Sequence, residues 1–240
     1  MNTETMVEKP ATGEEPGVVQ KIIGIFTSPA KTFASLDVNP AWIVPVVIIS
    51  IINLIFIFVA GDVILNETLQ QQEQAMMERG ADPDQIEQTL SATESFMKYF
   101  SPVTAIVFPL IFLIIVAGIF MFVGNVILGG SSTFKKVFSV TCWSWLILSL
   151  YGLIILPLVV AKQTMQVNFS LATFMSEELR KTFLYQLLAK IDIFYIWWLA
   201  VYSIGLAVIY KMKTQKVAVA VAAVYTIYAV VASALAGLFS

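Results

Sequence analysis

The chain contains no histidine and only one cysteine, Cys142, and charged residues make up just 12% of its 240 positions. Each shortage removes a class of function. Without imidazole there is no Ser/His or Cys/His nucleophile, and without a set of cysteines or histidines there is no zinc-type cluster. One cysteine also rules out a disulfide within the chain. The charged fraction is about half the ~25% of an ordinary soluble domain, and a net charge of −2 offers nothing to nucleic acid. No catalytic residue, metal ligand or cofactor-binding residue is expected.

What is abundant is apolar: 58% of the residues. No charge lies between Lys98 and Lys135, or between Lys136 and Lys162. Both runs exceed the ~20 apolar residues that cross a hydrocarbon core. They are joined by Gly129-Gly130-Ser131-Ser132-Thr133-Phe134-Lys135-Lys136, in which the glycine pair can end a helix and the lysine pair resists translocation, so this loop is expected in the cytoplasm. Three further runs bring the spans to five, at about 42–60, 102–128, 137–160, 191–210 and 217–239. The expected fold class is an all-α integral membrane protein: five transmembrane helices with an extracytoplasmic helical hairpin and N-terminal interfacial helices. An odd number of spans places the amino end in the cytoplasm and the carboxyl end outside an inner membrane. Lysine and arginine divide eight inside to six outside on that orientation.

The segments between the spans carry their own patterns. Residues 1–17 read as a disordered cytoplasmic tail without a cleavable signal peptide. Over 18–41, apolar residues recur at helical spacing, and Ser28-Pro29 has the form of an N-cap followed by proline at the first helical position. This amphipathic segment reads as one or two short helices in the membrane interface, the alternative being a helix folded back onto the bundle. The external loop 61–101 is acidic and glutamine-rich. It breaks at Gly80, with Asp82 as cap, Pro83 at the first helical position and Gln85 completing a capping box. Leu69, Met76 and Met77 are expected to face Ile86, Leu90, Met97 and Phe100 across that turn. In the second external loop, 161–190, Ser176 is expected to cap a helix whose stripe of Phe183, Leu184, Leu187 and Leu188 lies on the membrane or the first hairpin. In the last span, Ala218, Ala222 and Thr226, then Ala229, Ser233 and Gly237, form small-residue stripes suited to packing in the bundle or in a homo-oligomer.

Three stretches together resemble the Yip family, the Ypt/Rab-interacting membrane proteins and their prokaryotic relatives. They are Phe26-Thr27-Ser28-Pro29 through Phe33 to Pro40-Ala41-Trp42, then Gly129-Gly130 with Phe134-Lys135, then Ile191-Asp192-Ile193-Phe194-Tyr195-Ile196-Trp197 with Gly205 and the lysines from Lys211 to Lys216. The resemblance covers residues from about 20 to 240 and is closer to the prokaryotic branch. It implies a five-span membrane protein without enzymatic activity, acting in membrane organisation or partner recruitment. Two features depart from the family pattern: the long external hairpin, and Trp143 and Trp145 where a proline is expected in the third span.

Nine positions are candidates for function or packing. Asp192 abuts the fourth span, where it can cap the helix or form an intramembrane ion site. Lys135 and Lys136 are topology determinants or a surface for anionic lipid. Gly129, Gly130, Gly205 and Trp197 belong to the resemblance. Asn53 and Asn125 lie within spans, as helix-to-helix glue or as part of a path shared with Thr104, Thr141, Ser144 and Ser203. That path would make the protein a small transporter, channel or permease subunit. Membrane lipid, a second copy or another membrane protein are the partners expected.

Overall fold

The computed structural model describes residues 16–238. The tail expected over 1–17 lies outside the described residues except for Pro16 and Gly17. Eight helices follow in order: α1 Val18–Thr27, α2 Pro29–Val38, α3 Ile43–Glu78, α4 Pro83–Phe122, α5 Phe134–Lys162, α6 Phe183–Leu188, α7 Ile193–Tyr210 and α8 Thr214–Leu238. Five of them, α3, α4, α5, α7 and α8, are long and apolar enough to cross a membrane. No strand forms among the described residues, only an isolated bridge between Ser170 and Asp192. This is what lipid demands, because a helix satisfies its backbone polar groups internally. The protein is an all-α, multi-pass membrane protein.

The helices α3 and α4 outrun the bilayer. At ~1.5 Å per residue, the 36 residues of α3 reach roughly 54 Å, against a hydrocarbon core of ~30 Å. Both therefore continue as one coil from the apolar span into the glutamine-rich hairpin. Gly80, at φ +70°, closes α3. Asp82 Oδ1 accepts from the N–H of Asp84 to start α4, with Pro83 in its first turn. Leu69, Met77, Ile86 and Leu90 line one hollow between the two arms, while Phe100 points outward and stacks on Phe96. Pro102 and Pro109 are both accommodated within α4.

α5 packs against α3, α4 and α7, and α7 packs against α5, α8 and α2. Between them sits the core, which includes Val140, Trp143, Ile147, Val201, Tyr202 and Leu206. Two tryptophans belong to this core, Trp143 at 1% exposed and Trp198 at 5%. The indole Nε1–H of Trp143 donates to the carbonyl of Ala41 at 2.6 Å, pinning the start of the first span.

Both N-terminal helices pack onto the bundle, with Ile25, Phe33, Leu36 and Lys21 buried, and Ser28, at the head of α2, makes no side-chain cap. Two expectations are corrected. The segment between α5 and α7 holds two short 3-10 turns, Leu171–Phe174 and Glu177–Leu179, and the six-residue α6, capped by Thr182 rather than Ser176, and α6 packs on α8. On α8 the inward face is Val217, Val221, Ala229 and Ser233, so Ala222 and Thr226 of the first small-residue stripe face outward. On α8 the larger apolar area of Val217 and Val221 outweighed the small-residue period.

Trp143→Ala should destabilise the protein by about 3–5 kcal/mol, as a large-to-small core change, and lower its melting midpoint in detergent. Trp143→Phe, which keeps most of the packing and loses the bond to Ala41, should cost about 1 kcal/mol.

Candidate functional site at the basic end of the bundle

Parts of the three stretches singled out in the sequence meet at one end, where α2, the α4–α5 loop and the last turn of α7 with its following lysines come together, while residues 191–197 lie at the opposite end of α7. The last turn of α4 widens into a π-helical turn, Val123–Ile127. Such turns are rare within α-helices. The loop after it is then fastened by Asn125, whose Nδ2 donates to the carbonyl of Ser132 at 3.1 Å and whose Oδ1 accepts from the N–H of Ser132 at 3.0 Å. Gly129 has φ +70°, and Gly130 N–H donates to Gly124 O at 2.9 Å. Lys216 Nζ donates to the carbonyl of Leu128 at 3.0 Å, placing a cation at the negative end of α4.

Glycine is required here by close approach. A Cβ on Gly124 would lie 2.1 Å from Tyr210 Cζ, and one on Gly130 would lie 2.6 Å from Tyr210 Cδ1. The ring of Tyr210, in the last turn of α7, fills the space both glycines leave. One turn and a half earlier on α7, a Cβ on Gly205 would lie 2.6 Å from Val140 Cγ1 and 2.9 Å from the ring of Phe33. Phe33 is thereby seated between α5 and α7.

Two further contacts hold the N-terminal helices to the bundle. Lys136 Nζ pairs with Asp37 Oδ1 at 2.5 Å, joining the start of α5 to α2. Phe26 meets Trp197, nearer the other end of α7, edge-on at 5.8 Å between ring centroids, joining α1 to α7. Lys135, by contrast, is exposed.

Asp192 and Asn53 lie elsewhere. Asp192, 1% exposed, is the N-cap of α7. Its Oδ1 accepts from Phe194 N–H at 2.8 Å, and its Oδ2 accepts from Phe169 N–H and the Tyr151 hydroxyl, each at 3.1 Å. Three donors and a helix N-terminus stabilise a buried carboxylate without a counter-ion. Asn53 is half-buried on α3. Of the hydroxyls grouped with the asparagines, Thr104, Ser144 and Ser203 bond back to carbonyls of their own helices, and Thr141 bonds to Val137 O and to the Tyr202 hydroxyl. Among the described residues no group of three His, Cys, Asp or Glu could hold a metal. The basic end is a clamp built of glycines, rings and one ion pair.

Sequence reasoning missed Asp37 and Tyr210. Asp37 is the one acid among the residues just ahead of the first span, opposite in sign to the lysine pair it meets. That was a legible signal. Nothing in the sequence announces the π-helical turn or the fit of Tyr210 to Gly124.

Reversing either charge alone, Asp37→Lys or Lys136→Asp, should loosen α1–α2 and speed proteolysis between Val38 and Trp42. The double reversal should restore protection, with a coupling of up to about 1 kcal/mol for this partly exposed pair. Asp192→Ala should lower the folded yield sharply, since it strands buried donors at about 1–3 kcal/mol each, with Asp192→Asn intermediate.

No curated protein and no solved structure matches the chain. The family model of the Yip1 domain matches residues 23–236, which include α2, both loops of the clamp and all five apolar helices nearly in full. The chain belongs to the Yip1 domain family.

Proposed function

We propose that the protein is a non-enzymatic membrane organiser whose basic end faces the cytoplasm and recruits a partner through the clamped N-terminal helices. The observation that carries this is the division of α1 into two faces. Ile25 is fully buried against the bundle, while Val19 is 68% and Ile23 56% exposed. Lys31 lines the same hollow as Ile23, and Lys135, Lys211 and Lys213 are exposed at the basic end. An apolar patch with a cation beside it on a rigidly held helix is suited to an interface with lipid headgroups or with another protein. The absence of catalytic side chains agrees with this reading, and the hydroxyls that close on their own helices weigh against a transporter. The orientation follows from the two compact lysine loops at this end.

Crosslinking in native membranes followed by purification tests the proposal. The wild-type chain should bring down the same partner repeatedly, and Val19→Asp with Ile23→Asp should lose it at least fivefold while keeping the melting midpoint. A chain that emerges alone, or a partner unaffected by the double substitution, defeats the reading. Orientation is checked separately with a reporter fused after Ser240, which should be active only outside the cytoplasm.

A further inference from the structure

The helices α4 and α8 come together at the basic end, where Val123 and Gly124 lie near Val217 and Val221 around Tyr210. Further along they part. The gap between them is a cleft of about 270 Å³ whose walls are α4, from Phe112 to Phe120, and α8, from Val224 to Tyr228. Its floor is Trp145 of α5 with Tyr195, Trp198 and Leu199 of α7. The lips of the cleft, Phe112, Ile115, Ile119 and Tyr228, are exposed. All of these residues belong to the helices that cross the membrane, so the cleft opens sideways, into the bilayer.

From this geometry we infer that the cleft holds one acyl chain of a phospholipid from the surrounding bilayer. A second protein helix is the alternative occupant, but with its side chains it is ~10–12 Å across, too wide for a slot whose volume suits a flexible hydrocarbon chain. The polar features of the cleft favour a lipid. Trp198 is 5% exposed, and its indole N–H has no acceptor among the described residues. Such a group buried in an apolar wall is costly unless something supplies an acceptor. The ester carbonyls of a phospholipid are acceptors carried on the same molecule as the chain. The end at which they would enter is also marked. The Tyr225 hydroxyl donates to the carbonyl of Lys190, at 2.7 Å, just ahead of α7, so Tyr195, Tyr225 and Tyr228 mark the end of the cleft nearest the start of α7. With an ester carbonyl at Trp198, the headgroup lies toward that end and the chain runs on toward Phe120.

The test uses the full chain in phosphatidylcholine vesicles containing a phosphatidylcholine with a diazirine midway along one acyl chain. After irradiation and digestion, adducts should concentrate on Trp145, Trp198 and Leu199 over outward positions such as Val103 and Val107 by at least fivefold. Val224→Phe, which fills the cleft, should remove that excess and leave the outward adducts unchanged. Leu199→Phe serves the same purpose if the first variant loses its native melting transition. Adducts spread evenly over the lipid-facing residues, a cleft signal that survives both fillings, or crosslinks there between two copies of the chain would each overturn the inference. Because the readout is made on pure protein in vesicles, its failure is separable from failure of the recruitment reading.

Discussion

The structure depends on how closely α7 can approach its neighbours at Gly205. Within a bilayer there is little hydrophobic gain when one apolar helix meets another, since lipid tails are as apolar as leucine, so association rests on tight packing and small residues. With no Cβ at Gly205, Val140 of α5 and Phe33 of α2 both reach the α7 backbone. Seating Phe33 fixes α2, and α2 then presents Asp37 to Lys136. At the end of the same helix, Tyr210 occupies the spaces left by Gly124 and Gly130, which ties the α4–α5 loop to α7. One apolar helix thus registers two loops and the N-terminal pair against each other. Half of its apolar stretch is buried, a larger share than in any of the other four spans.

The same economy governs the polar groups. Several buried hydroxyls on α5 and α7 are satisfied by carbonyls one turn back, as with Ser144 and Ser203, or by one another, as with Thr141 and Tyr202. That arrangement lets a serine or threonine sit in an apolar helix at small cost and leaves little polarity facing a common channel. Asp192 is treated differently, because a carboxylate cannot satisfy itself. The backbone folds around it, and the bridge of Ser170 to Asp192 brings the N–H of Phe169 and the hydroxyl of Tyr151 to the same side chain. A single acid therefore organises the meeting of α5, α7 and the segment between them at the hairpin end.

Much of this was legible in the sequence, for identifiable reasons. Uncharged runs between Lys98 and Lys135 and between Lys136 and Lys162 report spans directly, since charge at membrane depth is costly. Gly80, Asp82 and Pro83 report a turn because each has a distinct backbone role. Asp192 reports a cap by its place immediately ahead of an apolar helix. What was not legible depends on which surface a helix buries. The spacing of Phe33 and Leu36 is equally compatible with lipid and with protein, and Phe33 needs Gly205, more than 170 residues away, to have a seat at all. The small residues Ala222 and Thr226 had the right period for packing, yet Val217 and Val221 cover more apolar area and took the inner face. The split of lysines into paired and free had no sequence signal, because Lys135 and Lys136 differ only by ~100° around the start of one helix.

That split limits what charge can do at the basic end. Lys136 is held by Asp37 and Lys216 by the carbonyl of Leu128, so Lys31, Lys135, Lys211 and Lys213 remain as exposed cations. At ~1 kcal/mol each near an anionic surface, their combined attraction is similar to that of inserting one or two aliphatic side chains at about 1.5–3 kcal/mol apiece. Neither contribution is needed to keep the protein in the membrane, since five spans already do so. Retention in the bilayer thus gives no reason to leave Val19 and Ile23 uncovered on a helix whose other side is buried. The rigid seat beneath them does give one. A patch held in place by Phe33, Asp37 and Trp197 has lost most of its freedom before anything binds, and a preorganised surface gives up less entropy on association than a flexible tail of the same composition.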